Sequence, residues 1–389
     1  MEKNTPKQLA PVNGTPFDYL RWRGDLTFAR DGFNEVDNLV LCILSYINFR
    51  RIDAVHTKDP AAAPTLAQVA PLLTDEDDQL GLSELSYLPL LRLAAQTERF
   101  RDLRLFGYTH EYDEQSAKQF DALSFLVPDG TLFVAFMGTD TSLAGWKEDF
   151  NMSFQDIVPA QTEAAEYLKK FAAVFDGPLY LTGHSKGGNL SVYAAATASL
   201  DVQERIRAVY NYDGPGFGQS MMGSEGYLRM IPRIQTYVPE SSIIGMLLEH
   251  EEPYSAVKST QVSIFQHDVF TWEILGPDFI LAPGVDAHSR QMNVAIKTWL
   301  EGMSRQERMD FVDTLYSILS VGGAKNVDAV LQPKNIRSML KAIQDDEGKR
   351  RLLTSEIGEF LRIVSETSRR SRERRLPSSI HGKMLNGRK

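Results

Sequence analysis

The sequence predicts an α/β fold, a mostly parallel sheet flanked by helices, with a helical C-terminal extension. Three observations carry this prediction. Strand-length apolar runs fall at residues 120–127, 131–137, 179–182, 207–212 and 233–238. Helical or irregular chain separates the later runs, the alternation that builds parallel strands with helices on both faces. The run at 179–182 feeds directly into Gly183-His184-Ser185-Lys186-Gly187 and then the small-residue stretch 191–198, so the order is strand, tight turn, helix.

Residues 1–16 read as a flexible lead. Between 17 and 49 the spacing of Leu39, Leu41, Ile43, Leu44 and Ile47 suits an amphipathic helix, preceded by a short extended piece at 25–28. Pro60 and Pro64 break a linker, and helical patterning resumes over 82–96 with Pro89 as a kink or restart. Pro128-Asp129-Gly130 is a hairpin turn joining 120–127 to 131–137, which gives the sheet an antiparallel edge. A further helix is expected over 162–175. From 296 to 366 the pattern is helical, broken at Gly322-Gly323, with Phe311, Leu315, Ile318 and Leu319 forming one apolar stripe. The last stretch is strongly basic, with Glu373 its single acid, and reads as a disordered tail able to touch an anionic membrane surface weakly. The expected division is a lead at 1–16, an α/β domain at 17–295, a helical region at 296–368 and a tail at 369–389.

A chain of 389 residues can bury a large core, and 43% hydrophobic residues fit a folded, water-soluble protein. A net charge of -9 argues against nucleic acid as the main partner. Cys42 is the only cysteine and sits in an apolar stretch, so a buried, inert thiol in a reducing compartment is expected. The first residues lack a signal-peptide core, and no apolar run approaches the roughly 18 residues that span a bilayer. The expected location is cytoplasmic.

The chemistry centres on Ser185. Strand, glycine turn and helix around a serine make the nucleophile elbow of an α/β-hydrolase fold, a strained turn presenting the hydroxyl at the carboxyl end of the sheet. Gly183 and Gly187 are required because a Cβ there would strike the neighbouring strand or helix. The competing reading is a glycine-rich turn without chemistry, since the pentapeptide alone arises in roughly one chain in ten of this length. A serine nucleophile needs a base, and the base an orienting acid, in the chain order Ser, Asp or Glu, His. His56 and His110 precede Ser185, His184 points the other way and His381 lies in the tail. His267, after a strand-like run at 261–265, is therefore favoured over His250 and His288. For the acid, Asp213 at a strand end before Gly214-Pro215-Gly216 is favoured, with Glu240 at the next strand end as the alternative. The oxyanion hole needs two N–H donors. These are assigned to Lys186, after the nucleophile, and Thr139, where the strand ending Phe136-Met137-Gly138 turns toward a helix near Leu143. No metal or organic cofactor is called for.

Phe136-Met-Gly-Thr139, Trp146-Lys-Glu-Asp-Phe150 and Gly183-His-Ser-Lys-Gly-Gly188 together resemble the class 3, fungal-type lipases. More closely, the chain resembles a family of uncharacterised bacterial lipase-like α/β-hydrolases over residues 17–280, including Asp213-Gly-Pro-Gly-Phe217 and Gln266-His-Asp268. The resemblance implies Ser185 as nucleophile, Thr139 as oxyanion donor and His267 as base. Class 3 lipases carry their acid near Glu240, pancreatic-type lipases near Asp213. Two residues depart from the pattern: Lys186 replaces the usual leucine and Met137 the usual arginine. Lys186 thereby puts a cation beside the nucleophile, directed at an anionic or polar substrate group or at solvent.

The expected function is a serine hydrolase that cleaves a small-molecule or lipid carboxylic ester through an acyl-serine. An acyltransferase using the same serine is one alternative. A weak or inactive hydrolase-shaped scaffold, recruiting a partner through its helices and tail, is another. The apolar residues at 243–248 would line an acyl pocket, cover one as a lid, or pack as a core helix.

Overall fold

The computed structural model of the protein describes residues 14–78, 86–140 and 142–375. Ahead of the sheet lie α1 (Pro16–Arg23), α2 (Glu35–Leu44), α3 (Leu66–Val69) and α4 (Leu88–Ala94). Seven strands then pair in chain order: β1 (Arg104–Asp113), β2 (Lys118–Leu126), β3 (Leu132–Phe136), β4 (Leu179–His184), β5 (Ile206–Tyr212), β6 (Ile234–Pro239) and β7 (Tyr254–Val257). β1, β2 and β3 pair antiparallel, and every pairing from β3 to β7 is parallel. The sheet is thus mostly parallel with an antiparallel edge, the expected α/β-hydrolase architecture.

Sequential parallel strands have a packing consequence. Right-handed crossovers carry each connecting helix back over the same face. Between β3 and β4 run α5 (Leu143–Asn151) and α6 (Pro159–Ala172), and between β4 and β5 run α7 (Lys186–Thr197) and α8 (Leu200–Arg205). Between β5 and β6 run α9 (Gln219–Met222) and α10 (Glu225–Met230). Tyr167, Phe171, Leu190, Val192, Tyr227 and Met230 from these helices pack with Val134, Phe136, Leu179 and Leu181 in one core. The opposite face is covered by the N-terminal helices instead. There Leu39, Val40, Ile43, Leu88 and Leu91 pack with Phe133, Ala135, Tyr212 and Tyr237. Both faces being buried, the strands read as continuous apolar runs. An aromatic row crosses this second face, Phe133 to Tyr180 at 4.8 Å, Tyr180 to Tyr210 at 6.5 Å and Tyr212 to Tyr237 at 5.8 Å between ring centres.

Several local expectations need correction. The stretch 17–49 holds two helices, and residues 25–28 form turns where an extended piece was expected. The reason is Arg99, whose side chain is fully buried against Asp37 and donates to the carbonyls of Leu26, Asp31 and Gly32, curling the segment around it. Pro89 starts α4 in its first turn, where a missing N–H costs nothing, and residues 82–85 of the expected helix lie outside the described residues. The helix expected over 162–175 is α6, beginning at Pro159. Cys42 is buried, which pushes its thiol up to about 12.

After the sheet come α11 (Ala287–Glu301), α12 (Arg305–Leu319), α13 (Val327–Val330), α14 (Pro333–Asp345) and α15 (Glu347–Arg375). Gly322, at φ 77°, makes the expected break after α12. Residues 369–375 of the expected tail are helical, because a run of Arg, Ser and Glu without Gly or Pro lets α15 continue. The rest of the tail and residues 1–13 lie outside the described residues. The C-terminal helices grip α5: Leu143 N–H donates to Lys325 O at 2.9 Å, and Lys147 pairs with Asp313 at 2.8 Å. Among the described residues no helix is long and apolar enough to cross a membrane.

Candidate active site

β4 ends at His184 and α7 begins at Lys186, so Ser185 stands alone between them at φ 57° and ψ −130°. That conformation is strained for a residue with a Cβ, and it persists because the surrounding backbone fixes it. A Cβ on Gly183 would lie 2.0 Å from Gly187 O, and one on Gly187 would lie 2.1 Å from Phe136 O. Ser185 N–H donates to Tyr212 O at 2.9 Å, and Ser185 O accepts from Gly188 N–H at 2.9 Å. The loop after β3 abuts the serine directly, since a Cβ on Gly138 would sit 3.1 Å from Ser185 Cβ.

Asp213 follows β5 at φ 51° and is 1% exposed. Its carboxylate takes three donors: His267 Nδ1 at 2.6 Å on Oδ2, and Ser242 Oγ at 2.6 Å and Gly245 N at 3.1 Å on Oδ1. With Nδ1–H donating to Asp213, His267 keeps its lone pair on Nε2. Residues 243–248 do not form a core helix; Ile244–Met246 is a short 3-10 turn in which Gly245 N–H buttresses Asp213. The run at 261–265 is not a strand either. Ser263–His267 is a 3-10 turn entered through Ser263 at φ 55°, and Trp272 Nε1 holds it by donating to Gln266 O at 2.8 Å.

The structure does not bring Glu240 to His267. Glu240 lies just past β6, its N–H on Val257 O at 3.0 Å and its carbonyl on Asp286 N at 2.6 Å. His250 pairs with Glu252 at 2.9 Å, and His288 is exposed in the first turn of α11.

The ring of His184 lies beside the other histidine, its centre 4.5 Å from that of His267. Its Nε2 sits 2.8 Å from His267 O, which can only accept, so Nε2 carries the proton. Nδ1 then accepts from Tyr46 Oη at 2.9 Å, and that oxygen in turn accepts from Gly138 N–H at 3.1 Å. Burial and the neighbouring His267 hold His184 well below its ordinary range, so it stays neutral. A directional chain thus runs from the loop after β3, through Tyr46 in the turn after α2 and His184 at the end of β4, to the turn carrying His267.

On the other flank, Thr139 Oγ1 donates to Asp149 Oδ2 at 2.6 Å, so Thr139 is tied to α5 by its side chain. It does not cap that helix; Ser142 does, accepting from Gly145 N at 3.1 Å. Asp149 Oδ1 is buried and has no hydrogen-bond partner among the described residues, and burial pushes this carboxyl up to about 6. Lys186 opens α7, where N–H groups are free of helix partners. Its side chain faces neither substrate nor solvent as expected. It is 1% exposed and donates to Gln119 O, Gln119 Oε1 and Glu148 Oε2 at 2.8, 2.7 and 3.0 Å. Met137, where arginine is usual, lies in the apolar core. Among the described residues no group of three or more His, Cys, Asp or Glu side chains could hold a metal ion.

Three of these residues carry no sequence signal for a role. Asp149 lay in plain view within Trp146–Phe150, without a signal linking it to Thr139 ten positions earlier. Tyr46, 92 residues from Gly138, and Glu148, 38 from Lys186, are joined to their partners only by the fold.

The sequence model of the Mbeg1-like family matches residues 94–317. The crystal structure of M37 lipase is similar at 15% identity and a TM-score of 0.34, covering 54% of this chain and 68% of its own. A triacylglycerol lipase from Penicillium expansum is similar at 11% identity and a TM-score of 0.29, covering 47% of this chain and 82% of its own. No curated protein matches the chain.

Proposed function

The chain belongs to the Mbeg1-like family, and on that premise we propose that it is a serine hydrolase of carboxylic esters. The observation that carries this reading is the 2.6 Å contact between His267 Nδ1 and Asp213, with His267 O bonded to His184, the residue before the strained Ser185. In the proposed reaction His267 Nε2 takes the Ser185 Oγ proton as the oxygen attacks the ester carbonyl. The tetrahedral oxyanion is held by the amides of Thr139 and Lys186. Collapse expels the alcohol, which leaves with the proton from His267, and the acyl group stays on Ser185. Water, deprotonated by the same imidazole, then releases the acid and restores the serine. Asp213 holds the imidazole in the required tautomer and balances its transient charge.

The apolar side chains around the residues named support an apolar acyl group. Ile264 and Phe265 are exposed just before His267, and Trp146 and Phe150 are exposed on α5 beside Asp149. The test is turnover of p-nitrophenyl esters of increasing acyl length together with fluorophosphonate labelling. Wild type should turn over and label at Ser185, and Ser185→Ala should lose about 10⁶ in kcat and all labelling. Undiminished turnover by the alanine variant would remove the assignment.

A further inference from the structure

The side chain of Lys186 is left unused by the reaction above. Its three ammonium protons meet three acceptors, and its partner Glu148 is 0% exposed. Both oxygens of Glu148 are bonded as well: Oε2 also accepts from Gln119 N at 3.2 Å, and Oε1 accepts from Ala160 N at 2.8 Å. A buried ion pair brings little net stability once its desolvation is counted, so a tight, fully bonded one is better understood by what it holds in place. Here it holds two neighbours in one frame. Glu148 and Asp149 are consecutive on α5; Glu148 grips Lys186 and Asp149 grips Thr139. The two residues assigned as oxyanion donors therefore hang by their side chains from adjacent positions of a single helix. That helix is itself pinned from outside by Asp313 and Lys325.

Resting on the hydrolase reading, we propose that the Lys186–Glu148 pair is a positioning device that sets the spacing of the oxyanion hole. It draws the start of α7 against α5, while α5 fixes Thr139 through Asp149. Gln119 of β2 adds the sheet as a third anchor, because it accepts from Lys186 and its Nε2 donates to Asp121 Oδ2 at 2.8 Å. The titratable groups whose charge acts on Asp149 include Lys186, Glu148 and His267, and the pair therefore also sets the field in which Asp149 ionises.

The experiment uses the full chain and p-nitrophenyl butyrate, with Ser185→Ala as the reference for a dead site. Lys186→Met should lower kcat by about 10- to 100-fold, the scale of a displaced reacting group, with KM within about twofold. Glu148→Gln, which keeps an acceptor but loses the charge, should lower kcat by about tenfold. The low-pH limb of kcat should move up in Lys186→Met, which removes a cation from Asp149, and down in Glu148→Gln, which removes an anion. Opposite movements mark a positional and electrostatic role, since a general loss of packing would move both limbs alike. Where either single variant unfolds, Lys186→Met with Glu148→Gln removes both charges together and should fold with kcat still low. Wild-type kcat in any folded variant, or limbs moving in the same direction, would overturn the proposal while leaving the hydrolase reading intact. A wild-type chain with neither turnover nor labelling would overturn both.

Discussion

Asp213, buried, and Asp149, half-buried, lie on opposite flanks of Ser185, and they differ in how many donors reach them. Asp213 takes three, from His267, Ser242 and Gly245. Among the described residues Asp149 takes one, from Thr139, and its other oxygen has no partner; burial pushes the carboxyl up to about 6. The flank that orients the base is therefore over-determined. The flank that supports the oxyanion donor rests on a single bond whose acceptor changes charge near neutral pH.

The contrast can be broken first at Asp213. Asp213→Asn should fold and bind ester with little change in KM, yet lose about 10⁴ in kcat, because the amide favours the wrong imidazole tautomer. Steady-state kinetics would show it, and a loss under tenfold would make the two flanks equivalent. Asp149→Asn should cost less, about 10- to 100-fold in kcat, because it loosens one donor without deleting it. The pH profile sharpens the difference. Asp149 must be ionised to hold Thr139 firmly, so wild-type kcat should fall as pH drops through about 6. The advantage of wild type over Asp149→Asn should then shrink from pH 8 to pH 5. Equal ratios at both pH values would mean that Asp149 does not titrate in this range.

Stability should move the opposite way. The folded carboxyl titrates above its ordinary 3.8, near about 6, so the fold favours its protonated form. Ionising it costs stability that is fully present below 3.8 and lost as pH rises through about 6, a loss of up to about 3 kcal/mol. Asp149→Asn should therefore raise the unfolding midpoint at pH 7 and leave it nearly unchanged at pH 4, measured by thermal or urea melts. The smallest effect is expected at the link between the flanks. Tyr46→Phe strands Gly138 N–H and His184 Nδ1, for about 1–3 kcal/mol of stability and a several-fold drop in kcat. No loss of either would cut the link out of the picture.

Much of the fold was legible because its signals are local. The run into Gly183, the Pro128-Asp129-Gly130 turn and the Gly322-Gly323 break each depend on a few neighbouring residues, and β4, the β2–β3 hairpin and the end of α12 follow them. The surroundings of His267 were legible only in part. Gln261 to Phe265 has the composition of a strand, but Ser263 at positive φ and the Trp272 bond to Gln266 turn it into a 3-10 coil. The choice between Asp213 and Glu240 was open in the sequence because both stand at ends of adjacent parallel strands. Only the packing of the 263–267 turn brings His267 to one of them. The burial of Lys186 is not legible because the residues that bury it come from β2 and α5, 67 and 38 positions away. No window around residue 186 contains them.

The one-sided crossovers set how the chain can be cut. A fragment trimmed to the family-matched stretch 94–317 would keep the strands, Ser185 and His267 but discard α1 to α4. Water would then wet the unshielded row of Phe133, Tyr180, Tyr210 and Tyr237. Such a fragment should precipitate on expression, whereas one that starts before Pro16 keeps those rings roofed.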